Sequence, residues 1–197
     1  MAELAPITYL SNNYSENLLP VKSVINQDTV ITQTSGDATY ALENFTFFKA
    51  NRSIRYYYNS NIVSGDISTF NLGDSLKVSL EQYGNYLFSF ALANFTIDLD
   101  YDVNIKVNIF LNSVLIETLE GTVNFLESEY LKYKTFSQVI PLRFGAMSEV
   151  DFSFEISVPI APIVPYPNYQ FLIDGFKFEL DNKGLGLPTP YSLPVNY

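Results

Sequence analysis

YLFSFALANFTIDLDYDVNIKVNIFLNSVLIETLE, from Tyr86 to Glu120, is the stretch whose reading decides the fold. Within it Val103, Ile105, Val107, Ile109 and Leu111 alternate with Asn104, Lys106, Asn108, Phe110 and Asn112. A period of two is the signature of a strand with one face on a core and the other toward water. Phe110 breaks the polar row, so that face is expected to meet a neighbouring strand, a second layer or another subunit. Upstream, Tyr86, Phe88, Phe90 and Leu92 fall on one strand face. Downstream, Asn112-Ser113 stands between two apolar runs where a tight hairpin turn would sit.

The same pattern recurs on both sides. Leu76, Val78 and Leu80 alternate with Lys77, Ser79 and Glu81, and Tyr83-Gly84-Asn85 divides them from the opening stretch. TVITQTS (29–35), TYALENFTFFK (39–49) and SIRYYYNSNIV (53–63) read as strands closed by Gly36-Asp37 and Ser64-Gly65-Asp66. FSQVIPLRF, VDFSFEISV and FLIDGFKFEL bring the total to about ten short strands. In VDFSFEISV, Val150, Phe152, Phe154, Ile156 and Val158 share a face. Gly121 to Lys134, with the acidic LESE, reads as a loop or a helical turn. Pro159, Pro162, Pro165 and Pro167 cannot join a central ladder and mark an extended crossover. With no amphipathic helix, the expected class is all-β: an antiparallel β-sandwich of jelly-roll type. Residues 1–36 are expected to form an N-terminal arm with a first strand, 37–180 the sandwich, and 181–197 an extended Pro/Gly-rich tail.

Composition narrows the function classes. Across 197 residues, 47% are hydrophobic and 16% charged, which excludes a disordered chain. Sixteen Phe and fifteen Tyr without a Trp suit pleated, half-buried surfaces. A net charge of −10 with no Lys/Arg patch argues against a nucleic-acid partner. The absence of Cys removes disulfides and thiolate sites, and the absence of His removes Ser-His-Asp chemistry and imidazole zinc sites. No basic segment followed by an apolar run opens the sequence, so no secretory signal is expected. No run approaches the ~20 apolar residues of a membrane span. Asn-Xaa-Ser/Thr sequons at Asn13, Asn44, Asn51 and Asn94 are read as by-products of an Asn-rich composition.

GNYLFSFAL at Gly84 to Leu92, followed by VNIKVNIFLNSVLIET, resembles the G-x-Y-x-F-x-F strand and following hairpin of C1q and tumour necrosis factor-like jelly rolls. IDGFKFEL at Ile173 to Leu180 is similar to their closing strand. FGAMSEV at Phe144 to Val150 departs from the Gly-Asp that those domains often carry there. The resemblance implies a trimer packed through aromatic-rich faces, of the kind found in phage head fibres, tail fibres and capsid decoration proteins.

Three groups of residues are candidates for chemistry or contact. Asp98, Asp100 and Asp102 project from one side of an extended segment, an arrangement in which oxygen ligands can hold Ca²⁺. Val103 and Ile109 stand where an EF-hand needs Gly and Glu, so the alternatives are a different cation loop or a plain solvated loop. Of Tyr56-Tyr57-Tyr58, Tyr56 and Tyr58 share a face and, with Phe110, are candidates for a subunit interface or a glycan contact. Glu117, Glu127 and Glu129 with Asp98 and Asp102 could supply a hydrolase pair only if two of them faced each other across a cleft. The expected function is therefore non-enzymatic and needs no cofactor beyond a possible Ca²⁺. Together with the resemblance, this makes the expected role a structural component of a phage virion, as a head fibre, decoration protein or tail-associated protein. The expected assembly is a homotrimer docking on other virion proteins through the N-terminal arm. A carbohydrate-binding module or adhesin head recognising a host-surface glycan is the alternative.

Overall fold

Strict alternation along the opening stretch produces two long strands, β7 (Gly84–Asn94) and β8 (Tyr101–Leu111), that lie in different layers. The structure is a computed structural model. It describes residues 2–3, 17–19, 31–35, 39–43, 52–57, 67–71, 77–80, 83–97, 100–142, 148–157, 170–181, 184 and 186–189. The Pro-rich crossover 159–169, Tyr58, Asp98 and most of the expected arm lie outside these residues.

Before β7 come β1 (Ala2–Glu3), β2 (Thr32–Ser35), β3 (Thr39–Glu43), β4 (Ser53–Tyr57), β5 (Ile67–Asn71) and β6 (Val78–Leu80). After β8 come β9 (Val114–Phe125), β10 (Tyr133–Leu142), β11 (Ser148–Ser157) and β12 (Gln170–Leu180). One sheet has the order β1-β9-β8-β11-β5-β2, with β6 also pairing β11, and the other has the order β10-β7-β12-β4-β3. All pairs are antiparallel except β1 with β9. The expected β-sandwich of jelly-roll type is the observed one. β1 and β5 are additions to the sequence reading, and Gly121 lies within β9, opposite Ile105, rather than in a loop.

Val103, Ile105, Val107, Ile109 and Leu111 of β8 all point into the core. Tyr86, Phe88, Phe90 and Leu92 of β7 meet them from the other sheet, beside Phe171, Ile173, Phe176 and Phe178 of β12. Rings fill the space between layers: Tyr86 stacks on Phe178 at 5.1 Å, Phe90 on Phe136 at 5.9 Å, and Phe125 on Phe171 at 5.9 Å. Offset stacks at these separations add specific geometry to the area they bury.

Local chemistry explains the irregular points. Asn112 and Ser113 turn β8 into β9 with positive φ at both residues (49° and 67°), the combination a two-residue type I′ hairpin requires. Asn112 also staples the turn to β11, exchanging Asn112 N–H to Glu149 O at 2.8 Å for Glu149 N–H to Asn112 Oδ1 at 2.9 Å. In β12 the register against β7 shifts between Asp174 and Lys177, where Gly175 takes a φ of 66°. That bulge keeps Ile173 and Phe176 both inward and sends Asp174, Lys177 and Glu179 to the outer face. Pro141 is tolerated because β10 is an edge strand of its sheet.

Described pieces of the expected arm and tail are bonded to the sandwich. Leu19 belongs to the core, and Asn17 caps the edge of β12 by donating to Phe176 O and accepting from Phe178 N–H. Thr189 lies buried over Lys177 and Glu179. Among the described residues no helix is long and apolar enough to cross a membrane.

Candidate functional site

The outer face of the five-stranded sheet is where the structure gathers chemistry. Ile54 and Tyr56 of β4 are core residues, so alternation sends Ser53, Arg55 and Tyr57 outward. Leu172 of β12 pairs with Arg55 on one side and Ala93 on the other. One step past the end of β7, Phe95 is fixed by its N–H to Gln170 O at 2.9 Å. Thr96 holds the same point, with Oγ1 donating to Gln170 O at 3.0 Å and accepting from Gln170 N–H at 2.7 Å.

These placements build a row across the end of the sheet. The Arg55 guanidinium carbon lies 5.6 Å from the centroid of the Tyr57 ring and 5.9 Å from that of Phe95. Phe95 in turn stacks on Tyr130 at 5.9 Å with 27° between the ring planes. Tyr130 follows a 3-10 turn at Glu127–Glu129 and is 36% exposed, while Tyr57 and Phe95 are half-buried. Ile97, Leu126 and Leu131 are exposed at the same end of the sandwich.

Farther along the same face sits a buried polar group. Arg55 Nη1 is 3.3 Å from Glu43 Oε2, and Glu43, Ser53 and Asp174 are all buried. Burial pushes the Tyr133 phenol well above its ordinary value; a hydrogen bond with Ser53 opposes this, and the Asp174 and Glu43 carboxylates add to it. Glu43 anchors Arg55 from the side, so the guanidinium between the rings is positioned rather than free to swing.

Sequence-predicted residues fall elsewhere. Tyr56, expected at an interface or a glycan, is instead a core residue with its ring 4.7 Å from Phe171 and 5.1 Å from Tyr40. The outward ring is Tyr57, because Ile54 sets the parity of β4 and draws Tyr56 inward with it. Phe110 does stand on the outer face of the seven-stranded sheet, half-buried and paired with Leu115.

The acidic loop is put to structural use. Asp100 Oδ1 accepts the Glu127 N–H at 2.6 Å, and Asp102 Oδ1 accepts from Asn124 Nδ2 at 2.8 Å. Lys134 Nζ reaches Glu129 Oε2 at 2.6 Å, and that hydrogen bond holds the Glu129 carboxyl below its ordinary value. Among the described residues no three carboxylates converge as a cation site would need. The Asn94 sequon is also structural: its side chain is buried, accepting from Thr96 N–H at 2.8 Å and donating to Leu126 O at 2.9 Å.

No family model matches the chain, and no curated protein matches it in sequence. Solved structures do match in fold. One is the enzymatically active domain of tailspike protein 4 of bacteriophage CBA120, at 12% identity and a TM-score of 0.53, covering 83% of this chain and 21% of that one. The chain thus spans about a fifth of that tailspike structure. Another is the first xylan-binding CBM22 domain of Xyn10C from Paenibacillus barcinonensis, at 11% identity and a TM-score of 0.50, covering 86% of this chain and 97% of that one. At such identities the likeness establishes the β-sandwich fold alone.

Proposed function

We propose that the protein is a non-enzymatic, tail-associated component of a phage particle that holds a host-surface glycan on its five-stranded sheet. The observation that carries this reading is the row of Tyr57, Arg55, Phe95 and Tyr130. Aromatic faces offer large rigid apolar area to the C–H face of a sugar ring, and a fixed guanidinium beside them offers donors to its hydroxyls. Fold likeness to part of a phage tailspike and to a xylan-binding domain supports the reading. In a glycan array the folded protein is expected to bind a limited set of glycans with and without chelator. Tyr130→Ala should weaken that binding roughly tenfold, the scale of an aromatic anchor. Unchanged binding in Tyr130→Ala at normal thermal stability would sink the assignment to this row.

A second role, assembly as a C1q- or tumour necrosis factor-like trimer, is favoured by the far end of the seven-stranded sheet. There the hairpin leaves Val114 65% and Leu115 53% exposed beside half-buried Phe110. Such side chains are the kind a subunit contact covers. Sedimentation is expected to show a trimer at micromolar concentration that Leu115→Glu dissociates; a wild-type monomer there rules this role out.

A further inference from the structure

We propose that the Tyr57–Arg55–Phe95–Tyr130 row selects neutral pyranose glycans and rejects anionic ones such as uronate polymers, an inference that rests on the row being a glycan surface. The argument is one of charge already cancelled. Arg55 is the cation between the rings, and Glu43 neutralises it at 3.3 Å. Asp174, also buried on this face, adds a second carboxylate that acts, like Glu43, on Tyr133. At the Tyr130 end Lys134 is bound to Glu129 at 2.6 Å. Lys132 follows two residues after Tyr130, with Glu127 and Glu129 in the preceding turn and the Asp100 carboxylate bonded to the Glu127 N–H. The whole chain carries a net charge of −10. A carboxylated or sulfated sugar therefore approaches a row whose described cations Arg55 and Lys134 are each paired with a carboxylate, and it meets like-charge repulsion across the acidic protein.

A neutral sugar meets the opposite conditions. Phe95 stacks on Tyr130 at 5.9 Å and Tyr57 lies 5.6 Å from the Arg55 guanidinium, so aromatic surface flanks the cation and can meet the sugar's C–H face. Of the five N–H donors in the planar Arg55 fork, the Nε–H is buried and Nη1 lies beside Glu43, which leaves the outer edge of the guanidinium for a ligand. Its pairing with Glu43 fixes that fork without consuming all of it, so sugar hydroxyls can be read by hydrogen bonds that carry no net charge.

The test is a titration, by calorimetry and tyrosine fluorescence, of the folded protein with a neutral β-1,4-linked xylose or glucose oligosaccharide and with an oligouronate of equal length, at low and high salt. Expected are binding of the neutral ligand that salt barely changes, and oligouronate binding weaker by at least roughly tenfold at low salt. Glu43→Gln, which keeps an oxygen for Arg55 but removes the charge, should raise the ratio of oligouronate to neutral-ligand affinity several-fold. A merely structural Glu43 would weaken both ligands together and so overturn its role in selectivity. Oligouronate bound as tightly as the neutral ligand by wild-type protein overturns the inference while leaving a glycan surface in place. Binding of neither ligand, nor of any glycan on an array, overturns the reading beneath it. Should Glu43→Gln not fold, the wild-type comparison alone decides.

Discussion

Glu179→Ala is expected to destabilise the fold by about 3–5 kcal/mol, the cost of leaving a buried charge without its partner. Lys177 and Glu179 lie two residues apart on the outer face of β12 with side chains only 1% and 2% exposed, and their charged atoms are 3.1 Å apart. Glu179 also fastens the tail, accepting the Thr189 N–H at 2.9 Å and the Thr189 hydroxyl at 2.6 Å, while Lys177 donates to the same hydroxyl. Removing the carboxylate takes the compensating charge from the buried ammonium and the Glu179 acceptor from two Thr189 donors at once. Chemical denaturation at neutral pH measures the loss. A loss below about 1 kcal/mol, typical of an exposed pair, would show that the pair is not enclosed.

The same substitution has a pH signature. Burial lowers the Lys177 pKa from its ordinary 10.5, and Glu179 opposes that by favouring the charged form. A lysine whose folded pKa lies below its unfolded value binds its proton more tightly when unfolded, so stability rises with pH between the two values. Without Glu179 the folded value drops further and the window widens. The gap between variant and wild type should therefore narrow as pH rises toward 10.5. A gap independent of pH would mean that the loss comes from the tail contacts rather than from the stranded charge.

Phe125→Ala carries the second large expectation, about 3–5 kcal/mol for an aromatic removed from a packed core. Phe125 ends β9 in the seven-stranded sheet, yet its ring lies 5.9 Å from Phe171 of the opposing sheet and 5.3 Å from Tyr101. Tyr101 donates to Gln170 O, the same oxygen that fixes Phe95 and Thr96. The cavity thus opens directly behind the aromatic row. Glycan affinity should fall along with stability, whereas Phe90→Ala, deeper between the sheets, should lower stability alone. Equal effects of the two substitutions on binding would sever the proposed link between Phe125 and the row.

Architecture was legible wherever the two faces of a strand differ. β8 announced its core face because Asn, Lys and Asp occupy the alternate positions. Asn112-Ser113 was readable as a turn because few residue pairs accept positive φ twice. β5 was not, because ISTFN carries one large core residue in the described set, Phe70, and no alternation. The row escaped detection for a different reason. Three consecutive tyrosines have no period, so only Ile54 could have fixed which of them faces out, and its partners Phe95 and Tyr130 lie at distant points of the chain. Of the acidic loop, Asp98 lies outside the described residues, while Asp100 and Asp102 accept hydrogen bonds that shape the adjoining turn and strand.

β12 sits between β7 and β4 in the five-stranded sheet, although it is the last of the described strands along the sequence. On a ribosome, then, β3 and β4 wait unpaired with β7 until residues 170–180 have emerged, and the sheet closes only after the rest of the sandwich has been synthesised. Such dependence on remote partners makes folding slow and leaves earlier strand edges open to other chains meanwhile. Translation speed therefore sets how long those edges stay open.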